Sequence, residues 1–472
     1  MTQNELPQSL TAFIPKNLDL DKVLNENPPN FIYHKDNFVY LIDLTYKLHN
    51  QERLDEFGDI YSRPHSALMQ RRIRNYREHL DYLVENKILF EDRQYIKNKQ
   101  SRGFAFSYPY HTEPKEVQIT DKKLIRKILK FYHLEESKPI IETDDSEISH
   151  LLQCLESGKL KIDFRKAKAY LRKLYMQERN TPVNLKNNQS GMNEQEFLDY
   201  SAKQKYYSRL RPLQLFHKGT FNAKLDSTAG RLHSVLTQLK SELRQFITFD
   251  GKRLVAVDIV NSQPYLSCVL FNKEKFINNA ILPKIRLYNN SLNSKLNARK
   301  KLCKTIENAS ASNSVNHYIE IVKSGKLYEE FGQLLVEKGI LEKDDDDIIR
   351  KQAKKIVFSS IFSPNQSIAY NKAVKIFKES FPYVYDIYSS VKKGKHRTLA
   401  CTLQNLEANL VLFTACKIIS EQRPEIPLLT LHDAIITTEG NEQFVYEVLY
   451  EVLSNGIGIP PTLKFERWEK AA

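Results

Sequence analysis

Two aspartates lie in apolar segments that are far apart in the chain. Asp258 follows Leu254–Val257, a run typical of a buried strand, and Asp433 ends the similar run Pro427–His432. A carboxylate in such a strand is costly unless it is paired, hydrogen-bonded or bound to a cation. Neighbouring strands would direct both carboxylates to one place, where two magnesium ions could serve phosphoryl transfer. Taken alone, either aspartate is better explained as a residue that caps a turn.

A helix is predicted between the two aspartates, from Ile348 to Phe362, because acidic residues precede it and Pro364 lies just beyond its end. Four of its residues are spaced four apart and form one stripe: Arg350, Lys354, Phe358 and Phe362. Cations can hold a triphosphate, and aromatic rings can stack on a base or border a sugar. The alternative is an ordinary helix with a basic first half and a core-packing second half.

The composition favours a polyanionic partner. The chain has 472 residues, enough for two to four domains, with a net charge of +14 and a pI near 9.2. No secretory signal, membrane-length apolar run or P-loop pattern is visible, and the five cysteines form no C-x-x-C pair. We therefore expect a cytoplasmic protein that binds nucleic acid and no membrane, without a zinc or disulfide framework.

The N-terminal part predicts a second nucleic-acid-binding region. Residues 1–30 are polar and rich in proline, which favours a flexible arm. A helix is expected over Ser66–Asn86, followed by a hairpin of Ile88–Lys97 and Phe104–Tyr108. This order resembles a winged helix-turn-helix, in which a helix enters a groove and the wing touches phosphates. The basic residues assigned to nucleic acid here are Arg71, Arg74, Lys99 and Arg102. The alternative is a small α/β domain with a solvated basic face.

From about Phe221 to Asp433 the chain resembles the family A (polymerase-I-like) DNA polymerases and the related phage-type single-subunit RNA polymerases. Six segments resemble family motifs in the family's order: Ser227–Ser234 (T-G-R-L-S-S), Val257–Pro264 (motif A), Arg350–Phe362 (motif B), Phe377–Val384, Thr402–Asn409 and Leu431–Ala434 (motif C). None of these matches is decisive by itself. Their order and the intact helix spacing are what carry the resemblance.

The resemblance implies a role for each matching residue. Asp258 and Asp433 would bridge two Mg²⁺ ions, with Mn²⁺ as an alternative. Arg350 and Lys354 would hold the triphosphate, and Lys354 could also protonate the leaving group. The remaining assignments are Phe358 and Phe362 beside the base and sugar, Arg231 and Gln404 on the duplex, and His432 at the primer end. The implied partners are primer-template nucleic acid and nucleoside triphosphates, with other replication proteins as further candidates.

The chain departs from the family pattern at the positions that select the sugar. Gln263 stands where the DNA enzymes have glutamate, and Phe362 stands where they have tyrosine. These two residues cannot form the Tyr–Glu hydrogen bond that excludes a ribose 2′-hydroxyl in the family. Ser363 replaces an expected glycine, and Ala434 is small, as in the RNA enzymes. The sequence therefore leaves the choice between dNTP and NTP open.

The expected architecture is an α+β right hand of palm, fingers and thumb with an N-terminal winged-helix-like domain. Its predicted parts are an arm (1–30), a winged-helix-like domain (31–115), a helical thumb-like region (116–210), the first part of the palm (211–290), the fingers (291–395) and the second part of the palm (396–472). The expected activity is DNA-directed DNA synthesis without proofreading, by analogy for a plasmid, phage or mobile element. The rivals are an RNA polymerase or primase, and an inactive nucleic-acid-binding or replication-initiation protein.

Overall fold

The computed structural model describes residues 7–47, 59–92, 94, 101–130, 148–181, 192–221, 223–226, 229–272, 304, 306, 312–393 and 395–469. The chain divides into two units. Unit 1 comprises residues 1–135, 162–221 and 238–246, and unit 2 comprises residues 136–161, 222–237 and 247–472. Both units combine helices with short strands, so the expected α+β class is observed. The region 116–210, predicted as thumb-like, is divided between the two units.

The described residues form short strands and a larger number of helices. The strands are β1 Leu10–Pro15, β2 Leu89–Glu91, β3 Phe104–Phe106, β4 Pro114–Ile119, β5 Leu160–Ile162, β6 Lys224–Leu225, β7 Leu232–His233, β8 Ile247–Phe249, β9 Leu254–Ile259, β10 Leu429–Leu431, β11 Ala434–Thr438 and β12 Leu463–Arg467. The helices are α1 Leu20–Glu26, α2 Lys35–Lys47, α3 Ser66–Arg72, α4 Tyr76–Glu85, α5 Lys122–Lys130, α6 Ser149–Glu156, α7 Phe164–Glu178, α8 Glu194–His217, α9 Val235–Gln238, α10 Ser262–Ser267, α11 Asn313–Lys323, α12 Leu327–Glu337, α13 Asp346–Phe362, α14 Lys372–Ser380, α15 Pro382–Val391, α16 Arg397–Ala408, α17 Cys416–Gln422 and α18 Glu442–Ile457. Within the described residues, no helix is long and apolar enough to cross a membrane.

The N-terminal segment of unit 1 is structured over most of its described length. β1 pairs antiparallel with β4, in register from Leu10 opposite Ile119. Phe13 and Ile14 of β1 are buried, and the Asp19 side chain caps the start of α1. The prediction of a flexible arm over residues 1–30 is therefore wrong for Leu10–Glu26. The apolar residues of β1 are stabilised by a strand partner a hundred residues downstream, which local composition does not reveal.

The long helix predicted over Ser66–Asn86 is also wrong, because α3 and α4 are separate. Ile73 ends α3 with an extended backbone (φ −127°, ψ 112°) and is buried. The side chain of Gln70 donates to the backbone carbonyl of Arg74 within the break. The predicted hairpin is confirmed as β2 and β3, which pair from Leu89 opposite Phe106. The winged-helix assignment itself stays a prediction.

The central strand of unit 2 is β9. Its sheet has the order β10-β11-β9-β12 with antiparallel neighbours. Val255 and Val257 project from one face of the sheet and Ala256 from the other, and all three are buried, so both faces of β9 are covered. A large apolar core of helices and strands surrounds this sheet within the unit. The predicted strand of Asp258 is β9, whereas the apolar run that leads to Asp433 forms β10, and β11 separates the two. The expectation that these two strands are direct neighbours is therefore wrong, although the turn between β10 and β11 brings Asp433 to the end of β9.

The helix predicted over Ile348–Phe362 is confirmed as α13. The residue before it, Asp345, caps its start, since its side chain accepts a hydrogen bond from the backbone N–H of Asp347. At the other end, the buried Lys392 ammonium donates to the carbonyls of Ser360 (2.7 Å) and Ser363 (3.1 Å). A cation at a helix C-terminus satisfies exposed carbonyls and offsets the helix dipole. Both ends of α13 are therefore held by side chains.

Candidate active site

Asp258 and Asp433 meet at one end of the β9–β11 ladder. Asp258 lies near the end of β9, directly opposite Ala434. Asp433 precedes Ala434 and lies in the turn between β10 and β11, since Leu431 pairs with Ala434. His432, the other turn residue, has a positive φ of 54°. Both aspartates are half-buried, so a ligand from solvent can reach them.

Both carboxylates have a raised pKa, mainly because they are partly buried. Burial raises the pKa of Asp433 to about 6, and the charge of Asp258 adds to the rise. Burial also raises the pKa of Asp258, although Lys464 on β12 opposes this with its Nζ 3.1 Å from Asp258 Oδ2. Among the described residues Asp433 has no such ion-pair partner. A pair of partly desolvated like charges with one compensating lysine favours the binding of a further cation.

The carboxylate pair suits magnesium. Within the described part of the chain, no group of three or more His, Cys, Asp or Glu side chains could hold a metal. Magnesium retains several waters and is bound by one or two carboxylates together with substrate phosphates. Asp258 and Asp433 therefore fit a magnesium site that substrate phosphates would complete, and they do not fit a site built from protein ligands alone.

The cation–aromatic stripe of α13 lies beside its buried face. The buried residues of this helix include Ile349, Ala353, Val357 and Ile361, and the stripe begins one residue later. Along the stripe, Lys354 is exposed, while Phe358 and Phe362 are half-buried with ring centroids 5.4 Å apart. The ammonium of Lys354 lies 5.5 Å from the centre of the Phe358 ring, and its charge lowers the pKa of Asp258. The stripe thus lies on the side of α13 near the aspartates.

Tyr328 on α12 interacts with the cations of the stripe and senses the charge of Asp433. It was not predicted from the sequence. Its ring lies 5.6 Å from the Arg350 guanidinium and 6.0 Å from the Lys354 ammonium. Burial raises the pKa of the Tyr328 hydroxyl, and the charge of Asp433 contributes to the rise. Arg350 also donates to Glu329 at 2.6 Å. The chain has 25 tyrosines, and no sequence signal distinguishes this one.

Glu407 on α16 is the second residue of the site that was not predicted. It is 1% exposed and accepts hydrogen bonds from Arg231 Nε (2.8 Å) and Nη2 (2.9 Å). Gln263 Nε2 donates to the same carboxylate at 2.7 Å, and Ser262 Oγ lies 3.4 Å away. Burial raises the pKa of Glu407 to about 7, against the lowering effect of Arg231. The sequence does carry a signal for Glu407, because a carboxylate among apolar residues needs a partner, as was argued for Asp258.

The remaining predicted residues of unit 2 have varied surroundings, namely Gln263, expected at the nucleotide, and Arg231, Gln404 and His432, expected at the duplex or primer end. Arg231 is engaged by Glu407, and Gln263 uses its amide nitrogen on the same carboxylate. Gln404 is half-buried on α16, and the His432 ring lies 5.8 Å from that of His233. The roles assigned to these residues stay predictions.

The basic residues predicted in unit 1 differ in their surroundings where the structure describes them. Arg102 on the hairpin pairs with Glu91 and with Asp81, the latter at 3.0 Å, so its charge is largely neutralised. Arg71 and Arg74 are exposed, whereas Lys99 lies outside the described residues. The structure therefore weakens the case for Arg102 as a phosphate contact.

Comparisons with known proteins add little to this geometry. No protein-family model matches the chain, and no curated protein matches it. Among solved structures, the chain is similar to the POL domain of Pol1 from M. smegmatis, determined in complex with DNA primer-template and dNTP. The identity is 10%, the TM-score is 0.33, and the match covers 73% of each chain. A likeness at this level does not establish a shared fold.

The raised carboxyl pKa values predict how the stability of the metal-free protein depends on pH. A carboxyl group whose pKa rises on folding stabilises the protein below its unfolded value and loses that effect as pH rises through the folded value. The metal-free protein is therefore expected to be less stable at pH 8 than at pH 5. For Asp433, the full rise from 3.8 to about 6 corresponds to at most roughly 3 kcal/mol, and about half of this falls between pH 5 and pH 8 because the unfolded carboxyl is already mostly ionised at pH 5.

Denaturant unfolding in EDTA at both pH values measures this difference. Asp433→Asn should reduce it, and added Mg²⁺ should stabilise the unchanged protein more at pH 8 than at pH 5. Equal pH dependence in the unchanged and Asp433→Asn proteins would contradict the assigned electrostatics.

Proposed function

We propose that this chain is a template-directed nucleotidyltransferase, specifically a DNA-directed DNA polymerase that extends a 3′-hydroxyl with Mg²⁺. The observation that supports it best is the approach of Asp258 and Asp433, on adjacent parts of one sheet, beside the cations of α13. The order of the six motifs, which resembles that of the family A polymerases, supports the same proposed activity. A replication setting in a plasmid, phage or mobile element is part of the proposal by analogy.

In the proposed reaction, a primer 3′-oxygen attacks the α-phosphorus of a nucleotide and pyrophosphate leaves. Magnesium held by Asp258 and Asp433 would neutralise charge on the phosphates and on the reacting oxygens. Lys354 and Arg350 would bind the triphosphate, and Lys354 would supply a proton to the departing pyrophosphate. Because Arg350 also binds Glu329, it would exchange this partner for phosphate. Catalysis by these residues is mainly positioning and electrostatic stabilisation.

The aromatic part of the stripe would contact the nucleotide. Phe358 and Phe362 are half-buried and adjacent, so they offer a partly open apolar surface for a base and sugar. Phe362 has no hydroxyl, and Gln263 donates its amide to Glu407. This pair therefore lacks the hydrogen bond by which related DNA enzymes exclude ribose. An RNA polymerase or primase is accordingly the second candidate function.

An extension assay tests the proposal and separates the two candidates. Purified protein should extend a labelled primer on a template in the presence of Mg²⁺, and EDTA should abolish the extension. Parallel reactions with the four dNTPs and with the four NTPs report which sugar is preferred. Faster incorporation of NTPs would favour the RNA enzyme. No extension with either set would overturn both candidates and leave a binding or initiation protein.

A further inference from the structure

Helix α5 of unit 1 presents a row of cations without opposing acids. Within the described residues, the side chains of Lys122, Lys123 and Arg126 have no ion-pair partner, and all three are exposed. Lys127 is exposed as well, and its Nζ donates to the backbone carbonyl of Arg72 at 3.2 Å. The helix itself contains no acidic residue. These four residues, Lys122, Lys123, Arg126 and Lys127, are called the α5 basic face.

The α5 basic face differs from the other basic elements of unit 1. On the hairpin, Arg102 is neutralised by Glu91 and Asp81. On α7, Lys166 pairs with Asp163 at 2.9 Å, and Lys168 pairs with Glu113 at 3.3 Å. A cation that is already paired gains less from a phosphate, because binding must first replace the existing partner. The α5 basic face therefore attracts a polyanion more strongly than these paired cations do, and its cations lie closer together than Arg165 and Lys173, the exposed residues of α7 that are eight positions apart.

We propose that the α5 basic face binds the phosphate backbone of a nucleic-acid duplex, and this rests on the proposed function for the choice of partner. The four cations lie at positions i, i+1, i+4 and i+5, which share one side of a helix over about 7.5 Å of axis. A duplex carries one charge per roughly 1.7 Å of axis, or about four charges over that length. A single strand carries about half that density. The spacing of the cations thus matches a duplex better than a single strand.

The residue types on α5 make two other polyanionic partners less suitable. Proteins that bind single strands stack bases on aromatic rings, and α5 contains none. A helix that inserts into a lipid surface presents an exposed apolar face, but Leu124, Ile125 and Ile128 are buried in the protein. The α5 basic face is proposed to contact phosphates, and phosphate contacts carry no sequence information. Binding at this face is therefore expected to be independent of sequence.

The test compares two double variants of unit 1 that each remove two exposed cations. Lys123→Gln/Arg126→Gln changes the α5 basic face, and Arg165→Gln/Lys173→Gln changes exposed cations on α7. Binding to a labelled primer-template duplex is measured by fluorescence anisotropy over a series of salt concentrations. The α5 variant should bind about tenfold more weakly at 0.1 M salt, and its salt slope should be shallower by about 1.8, or roughly 0.9 for each lost contact. The α7 variant should change much less.

The outcomes separate this proposal from the proposed function, because anisotropy requires no chemistry. In extension assays, the α5 variant should have a higher KM for duplex and an unchanged kcat. The proposed role of the α5 basic face would be refuted if the two double variants lost duplex affinity equally, or if the α5 variant lost none. Stronger binding of the unchanged protein to anionic vesicles than to duplex would overturn it too. If duplex binding depends on the α5 basic face but no extension is observed, the proposed role of this face is supported and the polymerase proposal is refuted.

Discussion

Replacing either aspartate of the site with asparagine is expected to lower primer extension by about a thousandfold. Asparagine keeps the size of the side chain but removes the charge that would hold magnesium, and one metal contact is worth several kcal/mol in the transition state. The measurement is single-turnover incorporation by the Asp258→Asn and Asp433→Asn proteins. Binding of duplex, measured by anisotropy, should change far less than the extension rate, because neither aspartate is itself a proposed duplex contact.

A matched control is Asp386→Asn, which removes an exposed carboxylate from the same unit. It should leave the extension rate within about a factor of two, since an exposed carboxylate away from the metal contributes little. Direct titration with Mn²⁺ provides a readout that does not depend on activity. Both site variants should bind Mn²⁺ more weakly than the control. Full activity in either site variant would show that the site is assigned to the wrong residues.

Glu407→Ala is expected to destabilise unit 2 by about 3 kcal/mol or more. The substitution leaves the Arg231 guanidinium, whose side chain is 19% exposed, without its counter-charge, and it removes the acceptor of the Gln263 amide. Removing one partner of a buried ion pair costs far more than removing both, because the remaining charge stays desolvated. Thermal and denaturant unfolding at pH 8 measure the loss, which should lower the Tm by roughly 5 °C for a unit of this size.

The double variant Glu407→Leu/Arg231→Met is the informative control. It replaces the pair with apolar side chains of similar length and should recover more than half of the lost stability. Glu407→Gln keeps an acceptor for Gln263 and should fall between the unchanged protein and Glu407→Ala. A Glu407→Ala protein within 1 kcal/mol of the unchanged protein would show that the buried network contributes little to unit 2.

The elements that the sequence predicted correctly are those whose signals lie within a short stretch of chain. The strand containing Asp258 and the helix α13 were predicted because apolar runs and four-residue spacing are visible within short windows. The proximity of Asp258 and Asp433 was a hypothesis from their apolar surroundings, and β9–β11 pairing realises it. The sequence alone does not show which strand lies beside which.

The errors arose where distant residues determine the structure. The cation of Arg102 is visible in the sequence, but its partners Glu91 and Asp81 become apparent only when the hairpin and α4 are folded. Ile73 lies in a stretch that is helical by local signals, yet burial of its side chain accompanies a break in the helix. Glu407 was not predicted, because the family motif that Thr402–Asn409 resembles has no acid at this position. Its apolar neighbours nevertheless make a glutamate unusual there.

The central position of β9 has a consequence for synthesis of the chain. Its two strand neighbours, β11 and β12, both come from far downstream. At about 5–20 residues per second, a ribosome needs roughly ten to forty seconds after Asp258 to reach Lys464. During that interval β9 has two open edges and an apolar sequence, which makes it prone to pair with other chains. Chaperones that shield β9 during this interval should therefore increase the yield of folded protein.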